Sequence, residues 1–247
     1  MAESKPHPVY LSLIIPVYNE EQRIGKGLDR ILSFLQFQPY SSEIIIVDDG
    51  SRDRTLEIVQ ERHGQDTKIR ISKQSCNMGK GEAVKQGMLM GHGTYLFFSD
   101  ADLSVPIETL SSFLSQLESL CDVAIGTRQK SGASIEVRQP FYRELLGKVY
   151  TSLSNWILGL QISDFTCGFK GFRKEASQEI FSRQQLSNWS FDAEILYLAQ
   201  LKGYRLLEIP VRWRNDERTK VKLLRDILSS FLGLLKIRLY EYQGRYQ

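Results

Sequence analysis

The most constraining feature of the sequence is an apolar segment at residues 95–99 that ends at two carboxylates, Asp100 and Asp102. The apolar run predicts a buried strand, and Pro106 predicts the first turn of a following helix. In an open α/β sheet, ligands bind at the carboxyl ends of the strands. Two carboxylates so close together repel each other unless a positive charge lies between them. The pattern therefore favours a cation site at this edge of the sheet.

Mg²⁺ and Mn²⁺ fit this pattern because they prefer oxygen ligands and bind few protein carboxylates. They take the rest of their coordination shell from water and a substrate diphosphate. We therefore predict that Asp102 and Asp100 bind Mg²⁺ or Mn²⁺ in a nucleotide site. In the alternative interpretation, Asp100 ends the strand and Asp102 caps the next helix.

The alternation of apolar and amphipathic segments extends through the first half of the chain. Strands are predicted at residues 11–16, 42–47, 68–72, 95–99 and 122–126, with helices between them. The segment at 42–47 is apolar almost throughout, as expected of a strand that is covered on both faces. This order predicts an α/β fold with a Rossmann-like, mostly parallel central sheet flanked by helices.

Composition narrows the class of protein further. The 247 residues suffice for one large domain, and no Pro- or Gly-rich linker divides them. Cys76, Cys121 and Cys167 lie far apart, so neither a disulfide framework nor a zinc site is predicted, and a reducing compartment fits. The first residues contain no long apolar segment, so we expect neither a signal peptide nor an anchor there, and a protein that faces the cytosol.

A glycine-bearing turn at residues 76–84 opens the third predicted helix. Backbone N–H groups and Lys80 at a helix N-terminus suit a phosphate group. The segment is not a P-loop, because G-x-x-x-x-G-K-[ST] is absent, and it lacks the third glycine of a dinucleotide fingerprint. Lys80 is therefore a candidate phosphate ligand outside these two familiar motifs.

The second half of the chain combines a polar loop, amphipathic helices and a basic segment. The loop at 130–139 is long enough to be a lid or binding loop, and the apolar face at 142–157 predicts a helix that packs on the core. A strand at 206–213 leads into a segment, 212–238, whose basic residues attract anions. The amphipathic C-terminal helix at 223–240 fits either a place on the domain or a membrane surface.

Four motifs occur in a fixed order along the chain: Ile15-Pro16-Val17-Tyr18-Asn19-Glu20-Glu21, Val47-Asp48-Asp49-Gly50-Ser51, Asn77-Met78-Gly79-Lys80-Gly81 and Asp100-Ala101-Asp102. Together they resemble the inverting family 2 glycosyltransferases of GT-A fold, and they look closest to the dolichyl-phosphate glucosyltransferase branch. The resemblance runs from about residue 11 to residue 240. It implies one GT-A domain over 1–247, in which 11–128 bind the nucleotide sugar, 129–222 bind the acceptor and 223–240 form an amphipathic helix.

The resemblance implies an inverting transferase that moves a hexose, glucose, from a UDP-sugar to a polyprenyl phosphate of the dolichyl or undecaprenyl type. The implied product is a β-linked lipid phosphate sugar. The implied cofactor is Mg²⁺ or Mn²⁺, and the implied partners are UDP-glucose, the polyprenyl phosphate and the cytoplasmic face of a membrane, without nucleic acid. A soluble or other lipid acceptor, and a mannosyltransferase-like use of GDP-mannose, remain alternatives.

By the same resemblance, individual residues receive roles. The implied donor-binding residues are Pro16, Tyr18, Glu20, Asp48, Asp49, Lys80, Asp100 and Ala101. The implied catalytic residues are Asp100, Asp102, Arg128 and Arg143, with Asp102 and Asp100 at the metal. The implied acceptor-binding residues are Arg128, Arg143, Arg214 and Lys220. Two departures from relatives stand out: Ser104 replaces a glutamine that the mannosyl branch often carries, and no membrane-spanning anchor is visible.

Competing functions make different demands on the residues. A phosphate acceptor is already largely anionic at neutral pH because its second pKa is near 6, so no catalytic base is required. A sugar or alcohol acceptor would need a base, for which Asp192 and Glu194 are the first candidates. A regulatory nucleotide-sugar binder would not need the full set of acids, and a nucleotidyltransferase would carry a glycine-rich loop directly after the first strand.

Overall fold

The computed structural model describes residues 8–216 and 223–247, with residues 223–228 described by their backbone only. The strands are β1 Leu11–Val17, β2 Ser42–Asp48, β3 Ile69–Lys73, β4 Tyr95–Ser99, β5 Val123–Thr127, β6 Ser134–Val137, β7 Phe169–Arg173, β8 Leu206–Pro210 and β9 Arg212–Arg214. The helices are α1 Ile24–Leu35, α2 Thr55–His63, α3 Lys80–Met90, α4 Leu110–Ser119, α5 Phe141–Leu158, α6 Lys174–Arg183, α7 Phe191–Leu201 and α8 Leu223–Tyr242. A short 3₁₀ turn at Ile107–Thr109 precedes α4.

The central sheet has seven strands in the order β3-β2-β1-β4-β7-β5-β8. Every pairing is parallel except those of β7, which runs antiparallel to both β4 and β5. The mostly parallel sheet is therefore confirmed. The chain builds outward from β1 through β2 to β3 and then returns to place β4 on the other side of β1. Such a reversal opens a crevice at the carboxyl ends of β1 and β4, where α/β proteins bind ligands.

Two apolar layers cover the two faces of this sheet. Alternate strand residues such as Leu13 and Phe97 face one layer, together with α1, α2 and α4. Their neighbours Ile14 and Phe98 face the other layer, together with α3, α6, α7 and parts of α5 and α8. Because side chains alternate across a strand, strands that are apolar throughout satisfy both layers at once.

Several elements differ from the sequence-based expectation. The polar loop at 130–139 contains the short strand β6, and α6 follows β7 directly where no helix was predicted. The strand predicted at 206–213 is two strands, because β8 ends at Pro210 and β9 leaves the main sheet to pair with β6. Proline lacks the N–H that a continuing ladder needs, which explains the break.

The helix α5 packs on the core with only part of its apolar face. Tyr150 and Leu158 are buried, whereas Tyr142, Val149 and Trp156 are exposed, the last by 81% of its area. The expectation that the whole face packs on the core is therefore wrong. Among the described residues, no helix combines the length and the apolar character that crossing a bilayer requires.

Candidate functional site

The loops that follow β1 and β2 are joined to each other by hydrogen bonds. Asn19, in a left-handed conformation with φ of 52°, donates its backbone N–H to Ser51 Oγ at 2.9 Å and accepts the N–H of Arg52 on its side chain at 2.8 Å. The N–H of Glu20 donates to Thr55 Oγ1 at 2.7 Å. Between the loops lies a cleft of about 420 Å³. Pro16 and Tyr18, both partly buried, stand at the end of β1 that leads into this cleft.

The carboxylates of Asp48 and Asp49 hold backbone turns. Asp48 is fully buried and accepts the N–H of Ser51 at 3.1 Å. Asp49 accepts the N–H groups of Met78 at 2.6 Å and Gly79 at 3.0 Å, and so fixes the loop that leads into α3. Burial raises the pKa of Asp49 more than these hydrogen bonds lower it. That Asp48 and Asp49 contact a nucleotide base remains a prediction.

Lys80 and Asp100 form an ion pair at the start of α3. Lys80 Nζ lies 2.5 Å from Asp100 Oδ1 and 5.5 Å from the centre of the Trp189 ring. Burial lowers the pKa of the Lys80 ammonium, but the charges of Asp100 and Asp192 outweigh burial and the net shift is upward. Gly168 makes room for Asp100, because a Cβ at position 168 would lie 1.9 Å from Asp100 Oδ2.

Asp102 is held by the residues that follow it. Ser104 donates its N–H and its hydroxyl to Asp102 Oδ1 at 2.9 and 2.8 Å. The turn between them places Leu103 at φ of 50°. Ser104 therefore orients the carboxylate of Asp102. Ala101, between the two acids, is buried. Its carbonyl oxygen lies against Gly27, because a Cβ at position 27 would lie 2.8 Å from that oxygen.

The two acids fit a divalent cation that binds together with a diphosphate. Burial and the neighbouring charge of Asp100 raise the pKa of Asp102 more than Ser104 and Arg23 lower it. Among the side chains that the structure describes, those of residues 8–216 and 229–247, no group of three or more acidic, histidine or cysteine residues could hold a metal by itself. Mg²⁺ and Mn²⁺ tolerate one or two protein carboxylates because phosphates and water complete their shell.

Arg23, which the sequence analysis missed, lies at the centre of the acidic residues. Its guanidinium forms two hydrogen bonds with Glu20, at 2.6 and 2.7 Å. It also lies 3.4 Å from Asp102 Oδ2 and 3.5 Å from Asp216. Arg23 immediately precedes α1, two residues beyond the first motif, and no local pattern distinguishes it from a surface arginine.

Arg128, at the end of β5, is bound by a buried carboxylate. Two of its guanidinium nitrogens donate to Asp164 at 2.7 and 2.8 Å, and Thr166 Oγ1 accepts a further bond at 2.8 Å. The guanidinium also lies 5.1 Å from the centre of the Trp213 ring. Burial alone would raise the pKa of Asp164, but Arg128 lowers it below its usual range. Both side chains are therefore charged, and the two hydrogen bonds fix the orientation of the Arg128 guanidinium.

Two other predicted acceptor residues, Arg143 and Arg214, lie around β9. Arg143 lines a second cleft of about 440 Å³ with Arg138 and Asn215, and its Nε is buried without a hydrogen-bond partner in the described part of the chain. Arg214 is exposed, and its backbone N–H donates to Ser104 O at 2.9 Å, which ties β9 to the loop of Asp102. Lys220 lies outside the described residues.

The two carboxylates considered as a base are both engaged. Glu194 is fully buried and accepts the N–H groups of Gln185 and Leu186 and the hydroxyl of Tyr246, at 2.6 to 3.0 Å. Asp192 is paired with Lys170 at 2.5 Å. The expectation that Glu194 could serve as a base is wrong, because its oxygens hold the loop before α7 and the C-terminus.

Comparison with known proteins decides the family. Residues 12–181 match the family model described as glycosyl transferase family 2. The chain belongs to this family.

This family 2 glycosyltransferase is 36% identical to a dolichyl-phosphate beta-glucosyltransferase of Saccharomyces cerevisiae, over 97% of the chain and 77% of the yeast protein. It is 33% identical to a dolichyl-phosphate beta-glucosyltransferase of Trichomonas vaginalis, over 97% of the chain and 74% of that protein. The predicted branch of the family is therefore confirmed.

The glycosyltransferase also matches a solved structure of glucosyl-3-phosphoglycerate synthase from Mycobacterium tuberculosis in complex with Mn²⁺, UDP-glucose and phosphoglyceric acid. The TM-score is 0.68 at 14% identity, over 93% of this chain and 79% of the other. The predicted GT-A fold is confirmed by this likeness.

Proposed function

We propose that the protein transfers glucose from UDP-glucose to the phosphate of a dolichyl-type polyprenyl phosphate. The observation that carries this proposal is the placement of Asp100 and Asp102 where the strand order reverses, with Lys80 and Arg23 beside them. That edge of the sheet is where an α/β fold binds a nucleotide. The choice of glucose and dolichyl phosphate in this proposal follows the names of relatives, which are dolichyl-phosphate beta-glucosyltransferases.

The reaction needs no proton transfer from the protein. An oxygen of the acceptor phosphate attacks the anomeric carbon, the bond to the β-phosphate oxygen of UDP breaks, and UDP leaves with the bonding electrons. The nucleophile is already an anion near neutral pH because the second pKa of a phosphate monoester is about 6. The engaged states of Asp192 and Glu194 agree with a mechanism without a base.

Asp102, with Asp100 beside it, would hold Mg²⁺ or Mn²⁺, which supplies positive charge for the departing diphosphate. Ser104 keeps the Asp102 carboxylate in one orientation. Lys80 adds a second cation on the other side of Asp100. The protein's part is thus to position donor oxygens and charges before the reaction begins.

The acceptor phosphate must approach a donor that is itself anionic. Arg128 stays charged and fixed on Asp164, and Arg143 has a buried Nε without a partner in the described chain. Guanidinium groups suit phosphate oxygens because they offer parallel N–H donors. We assign Arg128, Arg143 and Arg214 to the phosphates, residues 11–128 to the donor and residues 129–222 to the acceptor.

A polyprenyl acceptor is a lipid, so the enzyme must reach a lipid surface to bind it. Two neighbouring helices, α5 and α8, have apolar surfaces that suit such a contact. Helices α5 and α8 meet where the rings of Tyr150 and Phe231 lie 6.1 Å apart. Both helices expose large apolar side chains: Phe141, Tyr142, Leu145, Val149 and Trp156 on α5, and Leu232, Leu235, Leu239 and Tyr242 on α8. Monomeric proteins rarely expose so much apolar area without a partner. We propose that these residues contact the cytoplasmic face of a membrane.

The test is transfer of radiolabelled glucose from UDP-glucose to a short polyprenyl phosphate in detergent, with Mg²⁺ or Mn²⁺ present. We expect lipid-phase product from UDP-glucose that unlabelled GDP-mannose and UDP-N-acetylglucosamine do not suppress. Asp102→Asn should abolish transfer, whereas Asp29→Asn, which removes an exposed acid paired with Arg62, should not. Hydrolysis of UDP-glucose without lipid product would refute the acceptor, and normal transfer by Asp102→Asn would refute the metal site.

A further inference from the structure

Glu208 is a carboxylate of β8 to which the proposed reaction gives no role. It lies beside Ile125 of β5, and only 7% of its side chain is exposed. Its Oε1 accepts the backbone N–H of Ser163 at 2.7 Å and the hydroxyl of Ser163 at 2.5 Å. Its Oε2 lies 2.9 Å from Lys130 Nζ. A charge so nearly buried needs such partners, and it fixes them in turn.

The hydroxyl of Ser163 connects Glu208 to the end of β5. Ser163 Oγ lies 2.7 Å from Thr127 Oγ1, which accepts the N–H of Gln129 at 3.1 Å. A carboxylate only accepts, so Ser163 donates its single hydroxyl proton to Glu208. Thr127 is then the donor to Ser163. The hydrogen bonds therefore run in one direction, from the turn after β5 to the carboxylate of Glu208.

Arg128 lies in the middle of this turn, which comprises residues 127–129. Asp164, the residue after Ser163, accepts the N–H of Arg128 at 3.1 Å and two of its guanidinium nitrogens at 2.7 and 2.8 Å. The backbone and the guanidinium of Arg128 are thus both held by Ser163 and its neighbour. Glu208 fixes these two residues because it accepts both the N–H and the hydroxyl of Ser163.

We propose that Glu208 and Ser163 are positioning residues for Arg128: they fix its turn and its carboxylate partner so that its guanidinium meets the acceptor phosphate. A guanidinium binds a phosphate through parallel N–H donors, so its orientation decides how many of them reach the ligand. The proposal rests on the proposed function in that the acceptor is a polyprenyl phosphate and Arg128 binds it.

The test is calorimetric titration of a short-chain polyprenyl phosphate in detergent, together with both Michaelis constants. Glu208→Gln replaces a charged acceptor by a neutral one. We expect it to weaken polyprenyl phosphate binding and to raise the KM for this substrate by about tenfold, the effect of one hydrogen bond to a charged group. The KM for UDP-glucose should not change. Folded Glu208→Gln with wild-type affinity for polyprenyl phosphate would overturn the proposal.

Glu43→Gln is the matched control for lost stability. Glu43 is a carboxylate of β2 with 8% of its side chain exposed and with the same kinds of partner. It accepts the hydroxyl of Ser12 at 2.6 Å and the N–H of His92 at 2.7 Å, and it lies 2.9 Å from Arg70. We expect this variant to bind polyprenyl phosphate like the wild type. If it weakens that binding as much as the change at β8 does, the role of Glu208 is merely structural and the proposal fails.

Ser163→Ala tests the same hydrogen bonds if Glu208→Gln does not fold, because it keeps the N–H and removes only the hydroxyl. It should weaken polyprenyl phosphate binding by about fivefold, the effect of a neutral hydrogen bond, and wild-type binding by the folded variant would contradict the proposal. In an Arg128→Ala background, both substitutions should have no further effect, since the group that they position is absent. An equal loss in that background would likewise overturn it.

The emission of Trp213 separates this proposal from the proposed function. The Arg128 guanidinium lies 5.1 Å from the centre of the Trp213 ring, so its displacement should change that emission. We expect a change from Glu208→Gln and from Arg128→Ala, absent when Trp213 is replaced by phenylalanine, and no change from Glu43→Gln. A wild-type protein that binds UDP but no polyprenyl phosphate refutes the proposed acceptor. In that case a changed emission in Glu208→Gln still supports the positioning of Arg128, and an unchanged emission overturns it.

Discussion

Gly168→Ala tests whether the position of one carboxylate controls the reaction. The φ of Gly168 lies outside the left-handed region, so alanine brings no backbone strain. The added Cβ, however, would lie 1.9 Å from Asp100 Oδ2 and 2.6 Å from its Cγ. A carbon and a carboxylate oxygen in contact lie about 3.3 Å apart, so the oxygen must move by about 1.4 Å. The ion pair between Lys80 and Asp100 cannot keep its present geometry after such a movement.

The expected loss in rate is large and the expected loss in stability is small. A displacement of about 1 Å in a catalytic group lowers the rate on the order of 100-fold, which corresponds to about 2.7 kcal/mol in the barrier. Because 35% of the Asp100 side chain is exposed, its carboxylate can turn toward solvent and relieve the contact. Replacement of glycine by alanine also restricts the unfolded chain, which offsets part of any strain by about 0.4 to 1 kcal/mol.

The assay is steady-state glucosyl transfer together with thermal unfolding. Gly147→Ala is the matched control, because a Cβ at this glycine of α5 meets nothing within 4 Å, and we expect wild-type kcat/KM from it. In an Asp100→Ala background, Gly168→Ala should have no further effect, since the group it displaces is absent. The reasoning is refuted if Gly168→Ala folds and keeps the wild-type kcat/KM. It is also refuted if Gly168→Ala lowers kcat/KM by the same factor in the Asp100→Ala background as in the wild type.

Three further predictions concern the other charged groups and the apolar surface. Asp164→Asn should lower the free energy of unfolding by about 3 kcal/mol, because it leaves Arg128 without its buried partner; denaturant titration checks this, and an unchanged midpoint contradicts it. Burial raises the pKa of Glu43, but its hydrogen bonds lower it further, so its stabilisation is present above the unfolded-state pKa of about 4.5 and is lost as the pH falls through the lower folded-state pKa. Glu43→Gln should thus be about 2 kcal/mol less stable at pH 7, and that difference should shrink in acid; a constant difference from pH 7 to pH 3 would show that the charge is irrelevant. Replacement of Phe141 and Trp156 by serine should weaken sedimentation with vesicles of anionic lipid while transfer in detergent persists, and unchanged sedimentation would place the lipid contact elsewhere.

The alternation of strands and helices was predictable because it depends on local periodicity. The runs at β1, β2 and β4 are apolar over most of their length, as expected of strands that are covered on both faces. Acids placed directly after such strands must come to the carboxyl edge of the sheet, whatever the details of packing. The placement of Asp100 and Asp102 at that edge is therefore predictable from the sequence alone.

Elements whose partners are remote in sequence were not predictable in this way. The helix α6 follows β7 without a loop, and β9 leaves the main sheet to pair with β6, so neither shows the spacing that a local pattern uses. Helix α5 has a regular apolar face, but periodicity does not reveal that Trp156 meets solvent and not the core. Which apolar residues find a covering layer depends on the whole fold.

By itself, then, the sequence determined the family motifs, the mostly parallel sheet and the acidic edge. Only the tertiary structure decided that Arg23 meets Asp102 across 79 positions of the chain, that Gly168 makes space for Asp100, and that Lys170 neutralises Asp192. Local periodicity depends on neighbours within a few residues, and short-range sequence patterns carry it. The pairing of charges in a low-dielectric core depends on distances between segments that only the packed chain fixes.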